Sequence, residues 1–201
     1  MWIDFSKASS CELNYLAAVG RALVLSQHFE YTCKDVLCLF DFVKGVREGK
    51  EQDLDTWQNI AEKTMENRLA NAVKKYGNVH GTTEGNLSLL DMARLARNYI
   101  AHDAALLWYF PSNDDLRLSA RISTLREAAN DLAAAHNLVS DWGYSMKNIK
   151  PPPPALESTY VHRAVGWVME PLQSTKELQS GTRDDSSSQM TDSPEPSGRD
   201  S

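Results

Sequence analysis

The chain has 201 residues, 42% hydrophobic and 24% charged, enough for one domain with a buried core and too few for two large ones. Its net charge of −6 excludes a broad basic coat for nucleic acid and leaves room for one focused basic site. No apolar run is long enough to span a bilayer, and the three cysteines, with no Cys-x-x-Cys or His-rich spacing, offer no metal site. The opening residues, Met1 to Lys7, carry no basic stretch followed by an apolar core. No secretory signal is therefore expected, the location is expected to be cytoplasmic with no membrane contact, and Cys11, Cys33 and Cys38 are expected to stay reduced.

Helical periodicity dominates, and no segment alternates apolar and polar residues long enough for a strand. The first predicted helix covers about 10–48. Tyr15, Ala18, Ala22, Leu25, Phe29, Val36, Phe40 and Val43 form its main stripe, and Leu16, Val19, Leu23 and Leu37 widen it on a second side. An apolar girth that wide predicts a central place in a bundle or a subunit interface. Gly45 and Gly49 among Lys44, Arg47 and Lys50 mark its end. A second helix is predicted over about 53–76, capped by Asp53 or Asp55, with Trp57, Ile60, Ala61, Met65, Leu69, Ala72 and Val73 along one side. Gly77, Gly81 and Gly85 mark the loop after it. The third helix spans about 86–110, with Leu89, Met92, Ala93, Ala96, Ile100 and Leu107 facing the core and Pro111 stopping it. Ser112 and Asp115 offer a cap for a fourth, in which Leu118, Ile122, Leu125, Ala129, Leu132, His136 and Val139 step by threes and fours. His136 on that stripe reads as a core histidine with its ring nitrogens satisfied.

Pro151 to Pro154 predict a stiff extended strap, followed by a short docking helix over about 160–170. From about residue 174, Ser, Asp, Pro, Gln and Gly dominate, and three basic residues stand against six acidic ones. Too little apolar surface remains there to offset the entropy of ordering. The expected architecture is all-α, an up-and-down bundle of four long helices plus a short C-terminal helix. The bundle is assigned to 1–150, the strap and docking helix to 151–173, and a disordered acidic, Ser-rich tail to 174–201.

One stretch departs from core-and-surface logic: Ala93-Arg94-Leu95-Ala96-Arg97-Asn98-Tyr99-Ile100-Ala101-His102-Asp103. On a helical wheel centred on Leu89, Arg94, Asn98 and His102 fall at about 140°, 180° and 220°, stacked a turn apart on one side. Arg97 sits at about 80°, between the apolar and polar faces. An imidazole exchanges a proton at cellular pH, and a guanidinium holds a phosphate and stabilises the added negative charge of a phosphorane. An amide can orient either of them. Acid–base phosphodiester chemistry needs those groups and no metal. Glu30, on the apolar side of the first helix near Leu23, needs a partner if buried, and Arg97 or Arg94 would serve.

Arg97-Asn98-Tyr99-Ile100-Ala101-His102 resembles the motif of the HEPN superfamily: an Arg, a polar residue with Asn favoured, about three further residues and a His, borne on a helix of an α-helical bundle. The first helix, with Gly20-Arg21-Ala22-Leu23 and Gln27-His28-Phe29-Glu30, looks like that family's opening helix, so the likeness covers about 10–143 in architecture. Many members are metal-independent ribonucleases that work as dimers, the Arg and His of both subunits meeting in one cleft. The resemblance implies His102 as general base or acid on the ribose 2′-hydroxyl or the leaving 5′-oxygen, Arg97 as stabiliser of the pentacoordinate phosphate, and Asn98 as positioning group. Glu30, Arg94 and Asp103 would support them. It further implies an RNA substrate, a homodimer, an antitoxin or regulatory protein as partner, and no cofactor. Some toxin members carry a Tyr two residues after the His, where a partner attaches adenylate; Asp103 and Ala104 follow here, so that control is not expected. Arg21 and His28 repeat the spacing, but on the polar side of the first helix, where a solvated face is the expected reading.

Geometry gives the dimer its own argument. Arg97 and His102 point about 140° apart on an ideal helix, so one copy presents them poorly to a single phosphate, whereas two copies about a twofold axis bring the Arg of one to the His of the other. Two rival readings stay open: a non-catalytic module of the same build that binds nucleotide, RNA or a protein, and a plain helical interaction protein whose polar strip is a wet surface.

Overall fold

The computed structural model describes residues 9–50, 53–79, 81–106 and 115–181, with side chains over 117–173 in the last segment. Its helices are α1 Ser10–Arg47, α2 Leu54–Glu66, α3 Leu69–Tyr76, α4 Glu84–His102, α5 Asp115–Lys147 and α6 Pro154–Gly181, with no strand among the described residues. The starts follow from local chemistry. Ser9 and Glu12 form a reciprocal capping box at α1, the Glu12 carboxylate accepting from the Ser9 amide at 2.7 Å. Asp53 accepts from the Thr56 amide at 2.8 Å to cap α2, and Thr83 accepts from the Asn86 amide at 3.2 Å to cap α4.

Three elements differ from the sequence expectation. The predicted second helix is two, α2 and α3, because Asn67 and Arg68 adopt extended backbone. The break is held by its neighbours: Asn67 Nδ2 donates to the Lys63 carbonyl at 2.8 Å, and Lys34 Nζ of α1 donates to the Met65 carbonyl at 3.0 Å. Those bonds satisfy carbonyls that a helix end leaves open. The predicted third helix stops at His102, where the amides of Asp103 and Ala104 both turn back to the Tyr99 carbonyl, at 2.8 and 2.9 Å. Tyr15 of α1 donates to the Ala104 carbonyl at 3.1 Å and fixes that turn; Leu107, Pro111 and Ser112 lie outside the described residues. The expected short C-terminal helix is 28 residues long. Pro154, expected in the extended strap, sits at its first position, where a missing N–H costs nothing, and the helix continues through Pro171, past the expected end near 170. Its backbone reaches Gly181, beyond the expected tail boundary at 174, and 182–201 lie outside the described residues.

Cross-helix pairs give the directions. Glu30 meets Arg97 and Tyr15 meets Ala104, so α4 runs antiparallel to α1. Thr32 meets His136 and Asp35 meets Lys147, so α5 runs parallel to α1, while His136 beside Thr32 meets Tyr160 and Arg21 meets Glu170 further along α6, which runs back. Phe42 stacks edge-on with Trp57, and Tyr76 donates to the Cys33 carbonyl at 2.7 Å, which places α2 against and α3 alongside α1. The fold is an up-and-down helical bundle with α1 at its centre. Its four long helices are α1, α4, α5 and α6.

The core joins Tyr15, Phe29 and Val36 of α1, Tyr76 of α3, Leu90 and Ala93 of α4, Leu125, Leu132 and Val139 of α5, and Val168 and Met169 of α6. Gly143 lets α5 approach closely, since a β-carbon there would stand 3.1 Å from Val36 Cγ2. The buried face of α4 is turned from the expected one: Leu90 is fully buried and Met92, assigned to the core, is 43% exposed. Arg21, expected on a solvated face, instead reaches α6, donating to the Trp167 carbonyl at 2.7 Å, pairing with Glu170 and lying over the Trp167 ring. His28 remains exposed. Cys33 and Cys38 are free and buried, and desolvation pushes both thiols up, so neither is a ready nucleophile.

His136 is half-buried, and both its ring nitrogens are satisfied as the stripe implied. Its Nδ1 lies 2.6 Å from the Tyr160 hydroxyl of α6 and its Nε2 3.1 Å from Thr32 Oγ1 of α1, so one ring links three helices. Its pKa is pushed down to about 4, by burial first and then by His28. The unfolded chain therefore takes up this proton before the folded one, and the stability the neutral ring contributes is lost as pH falls from the ordinary histidine range toward about 4. Urea unfolding should show the wild type losing about 2 kcal/mol relative to His136→Gln between about pH 7 and about pH 5. Parallel stability curves would show that the ring takes up its proton as readily in the fold as in the unfolded chain.

Candidate functional site

The turned core face of α4 decides where its polar side chains go. With Leu90, Ala93 and Ile100 packed inward, Arg97 lies beside the core and leans toward α1, and Arg94, Asn98 and His102 fall on the side that faces α3. The break after α2 brings the start of α3 to meet them. The result is a cleft of about 400 Å³ lined by Glu30 of α1, by Arg68, Leu69 and Ala70, and by Arg94, Arg97, Asn98 and His102.

Two of the three arginines are held by carboxylates. Arg97 directs both Nε and Nη2 to Glu30 Oε2, each at 3.1 Å. Glu30 Oε1 in turn takes Lys34 Nζ at 2.9 Å, and the same Nζ bonds the Met65 carbonyl. Burial works against the charge on Glu30, but the bonds from Lys34 and Arg97 outweigh it and hold its pKa below the ordinary glutamate value. Arg94 is held through Nε by Asp91 Oδ1 at 2.7 Å, one turn back on α4. Both guanidinia thus keep Nη1 unbonded to these carboxylates, in fixed orientations. Arg68 is exposed, makes no capping bond to α3, and has no acidic partner among the described residues. Counting Lys34, four cations stand against Glu30 and Asp91, two positive charges in excess on a chain whose net charge is −6. The start of α3 adds the partial positive charge of a helix N-terminus to the same wall.

Arg97, Asn98 and His102, read from the sequence as catalytic, are brought together with the supporting Arg94 and Glu30. Glu30 finds the partner its place on α1 required. Asp103, the remaining supporting candidate, is the C-cap of α4 and is not part of the cleft wall. Arg97 and His102, about 140° apart on an ideal helix, both line this concavity, with Arg94 and Asn98 between them. Arg68 escaped the sequence reading because it sits inside what periodicity paints as continuous helix. An Arg next to an Asn able to cap a helix end is the one local sign of it. A larger groove, about 560 Å³, runs between α5 and α6, but Arg126 and His162 there stand against Glu127 and Asp131, and no charge dominates. No cluster of three metal-ligating side chains occurs among the described residues, and no described helix is long and apolar enough to cross a membrane.

Such a cleft can take an anion, orient it with fixed guanidinia and present an imidazole to it. The Glu30 junction should matter to stability as well. Glu30→Gln leaves Lys34 and Arg97 without their shared anion, and should cost about 1–2 kcal/mol in urea unfolding, with coupling of about 1 kcal/mol to Arg97→Met in a double-mutant cycle. Zero coupling would show that the pair contributes nothing net.

Comparison with protein-family models, with curated proteins and with solved structures returned no match.

Proposed function

We propose that the chain is a HEPN-like, metal-independent ribonuclease of the cytoplasm that cuts single-stranded or looped RNA by attack of the ribose 2′-hydroxyl. The observation that supports this reading is the convergence of Arg97, Asn98 and His102, with Arg94, on one cleft. The 2′-oxygen bonds to phosphorus as the bond to the 5′-oxygen breaks, giving a 2′,3′-cyclic phosphate and a 5′-hydroxyl. His102 takes the proton of the 2′-hydroxyl or supplies the one the leaving oxygen gains, and solvent water handles the other proton. Arg97, oriented by Glu30, meets the charge that grows on the pentacoordinate phosphate, and Asn98 positions. An antitoxin or regulatory partner would act by covering this cleft.

A second reading, a non-catalytic module that binds RNA or nucleotide, is favoured by one detail: Arg97 already shares its charge with Glu30, which leaves less for a developing oxyanion. Incubation with cellular RNA in EDTA separates the two. The nuclease should cut, and His102→Ala and Arg97→Ala should each abolish cleavage while the helical circular dichroism stays intact. Undiminished cutting by either variant would remove these residues from the chemistry.

A homodimer belongs to the same proposal. Its support is apolar surface, since Leu13, Val24 and Tyr31 of α1 are 49%, 44% and 63% exposed and Leu95 of α4 is 54% exposed. Light scattering should give twice the chain mass. Because each copy carries both groups in its own cleft, mixing His102→Ala with Arg97→Ala subunits should restore no activity. Rescue on mixing would assign the two roles to different chains, and an active monomer would end the dimer.

A further inference from the structure

Arg94 and Arg97 each spend Nε on a carboxylate, and their geometry is set before any ligand arrives. Arg68 stands across the cleft on a different element, at the junction of α2 and α3. It is exposed, it neither caps α3 nor pairs with an acid among the described residues, and it is held by backbone alone. A long, hydrated, unpaired guanidinium costs side-chain entropy when it closes on a ligand, and gains a charge-assisted bond only if that ligand offers an anion. The opposite wall already supplies fixed donors for one phosphate group. A further cation facing them across the cleft serves a ligand that presents another phosphate beyond the first.

We propose that Arg68 is a substrate-binding residue that grips the phosphate adjoining the one held at Arg97 and His102, so that the cleft takes an RNA strand through at least two consecutive phosphates. This rests on the reading of the cleft as an RNA site and adds to it a residue outside the Arg–His motif. Arg68 acts on binding, through its charge and its reach from the α2–α3 junction. It takes no part in proton transfer. Its side chain is exposed and makes no capping bond or ion pair among the described residues, so its substitution tests the contact with the fold's bonds left in place.

The test uses the full chain and a short single-stranded RNA carrying a fluorescent label, with anisotropy measured over a range of salt concentrations in EDTA. A non-cleavable 2′-O-methyl strand keeps binding separate from reaction. Arg68→Gln should weaken binding about tenfold at low salt and lower the slope of log affinity against log salt by about 0.7, one phosphate contact on a single strand. Arg68→Lys should recover the slope. Where cleavage is measured on the unmodified strand, Arg68→Gln should raise KM with kcat nearly unchanged, in contrast to Arg97→Ala and His102→Ala. Adenosine monophosphate, with a single phosphate, should bind wild type and Arg68→Gln equally well. Affinity and slope unchanged in Arg68→Gln would overturn the proposal while leaving the nuclease reading intact. RNA binding that depends on Arg68 without any cleavage would sustain it and end the nuclease reading. Failure of the wild type to bind the strand would end both.

Discussion

The Glu30 carboxylate is the point on which this structure turns. One oxygen holds Arg97 of α4, the other holds Lys34 of its own helix, and Lys34 reaches on to the carbonyl of Met65 where α2 ends. Three elements, α1, α4 and the end of α2, are tied by one partly buried ionic junction. A carboxylate in such a place is stabilising only with its partners present. The orientation of Arg97 and the position of the α2–α3 break are therefore set together, and with them both walls of the cleft.

That coupling explains why the site is focused on an acidic chain. The cations are not spread over a face, as in proteins that coat a duplex, but gathered where α3 begins and α4 ends. Pinning Arg94 and Arg97 by their inner nitrogens lowers the entropy lost on binding, because less side-chain freedom remains to be removed. The far end of α4 is steadied separately. Tyr15, itself buried, donates to Ala104 just beyond His102, so the last turn that carries the imidazole is fixed from α1 as well.

Much of the bundle could be read from periodicity, and the exceptions have specific causes. The stripes of α1 and α5 named core residues that are buried, among them Tyr15, Phe29, Val36, Leu125 and Leu132. The break at Asn67 was hidden because Met65 and Leu69 keep helical spacing across it, and the bonds that stabilise the break come from Lys34, distant in sequence. In α4, Leu89 and Leu90 are adjacent and both apolar, so the pattern could not choose which faces inward, and packing against α5 chose Leu90. The last helix is expected to end near 170, yet it passes through Pro171. At the site, Arg97, Asn98 and His102 announced themselves by residue type and spacing, and Glu30 by the need of a buried acid for a base. Arg68 carried no such sign, since its meaning comes from a backbone bend that the local sequence does not dictate.

The place of α1 in the bundle has a consequence for how the chain is made. It leaves the ribosome before α4, α5 and α6, and its inward residues are completed by α5 and α6. Thr32 waits for His136, 104 positions later, and Arg21 waits for Trp167, 146 positions later. At ordinary translation rates those intervals last roughly 5–30 seconds. Through that time Phe29, Val36 and Leu37 have α2, α3 and α4 at most for cover. The most apolar of the described helices thus spends its early life half-sheltered, and a nascent-chain chaperone would find its binding surface along α1.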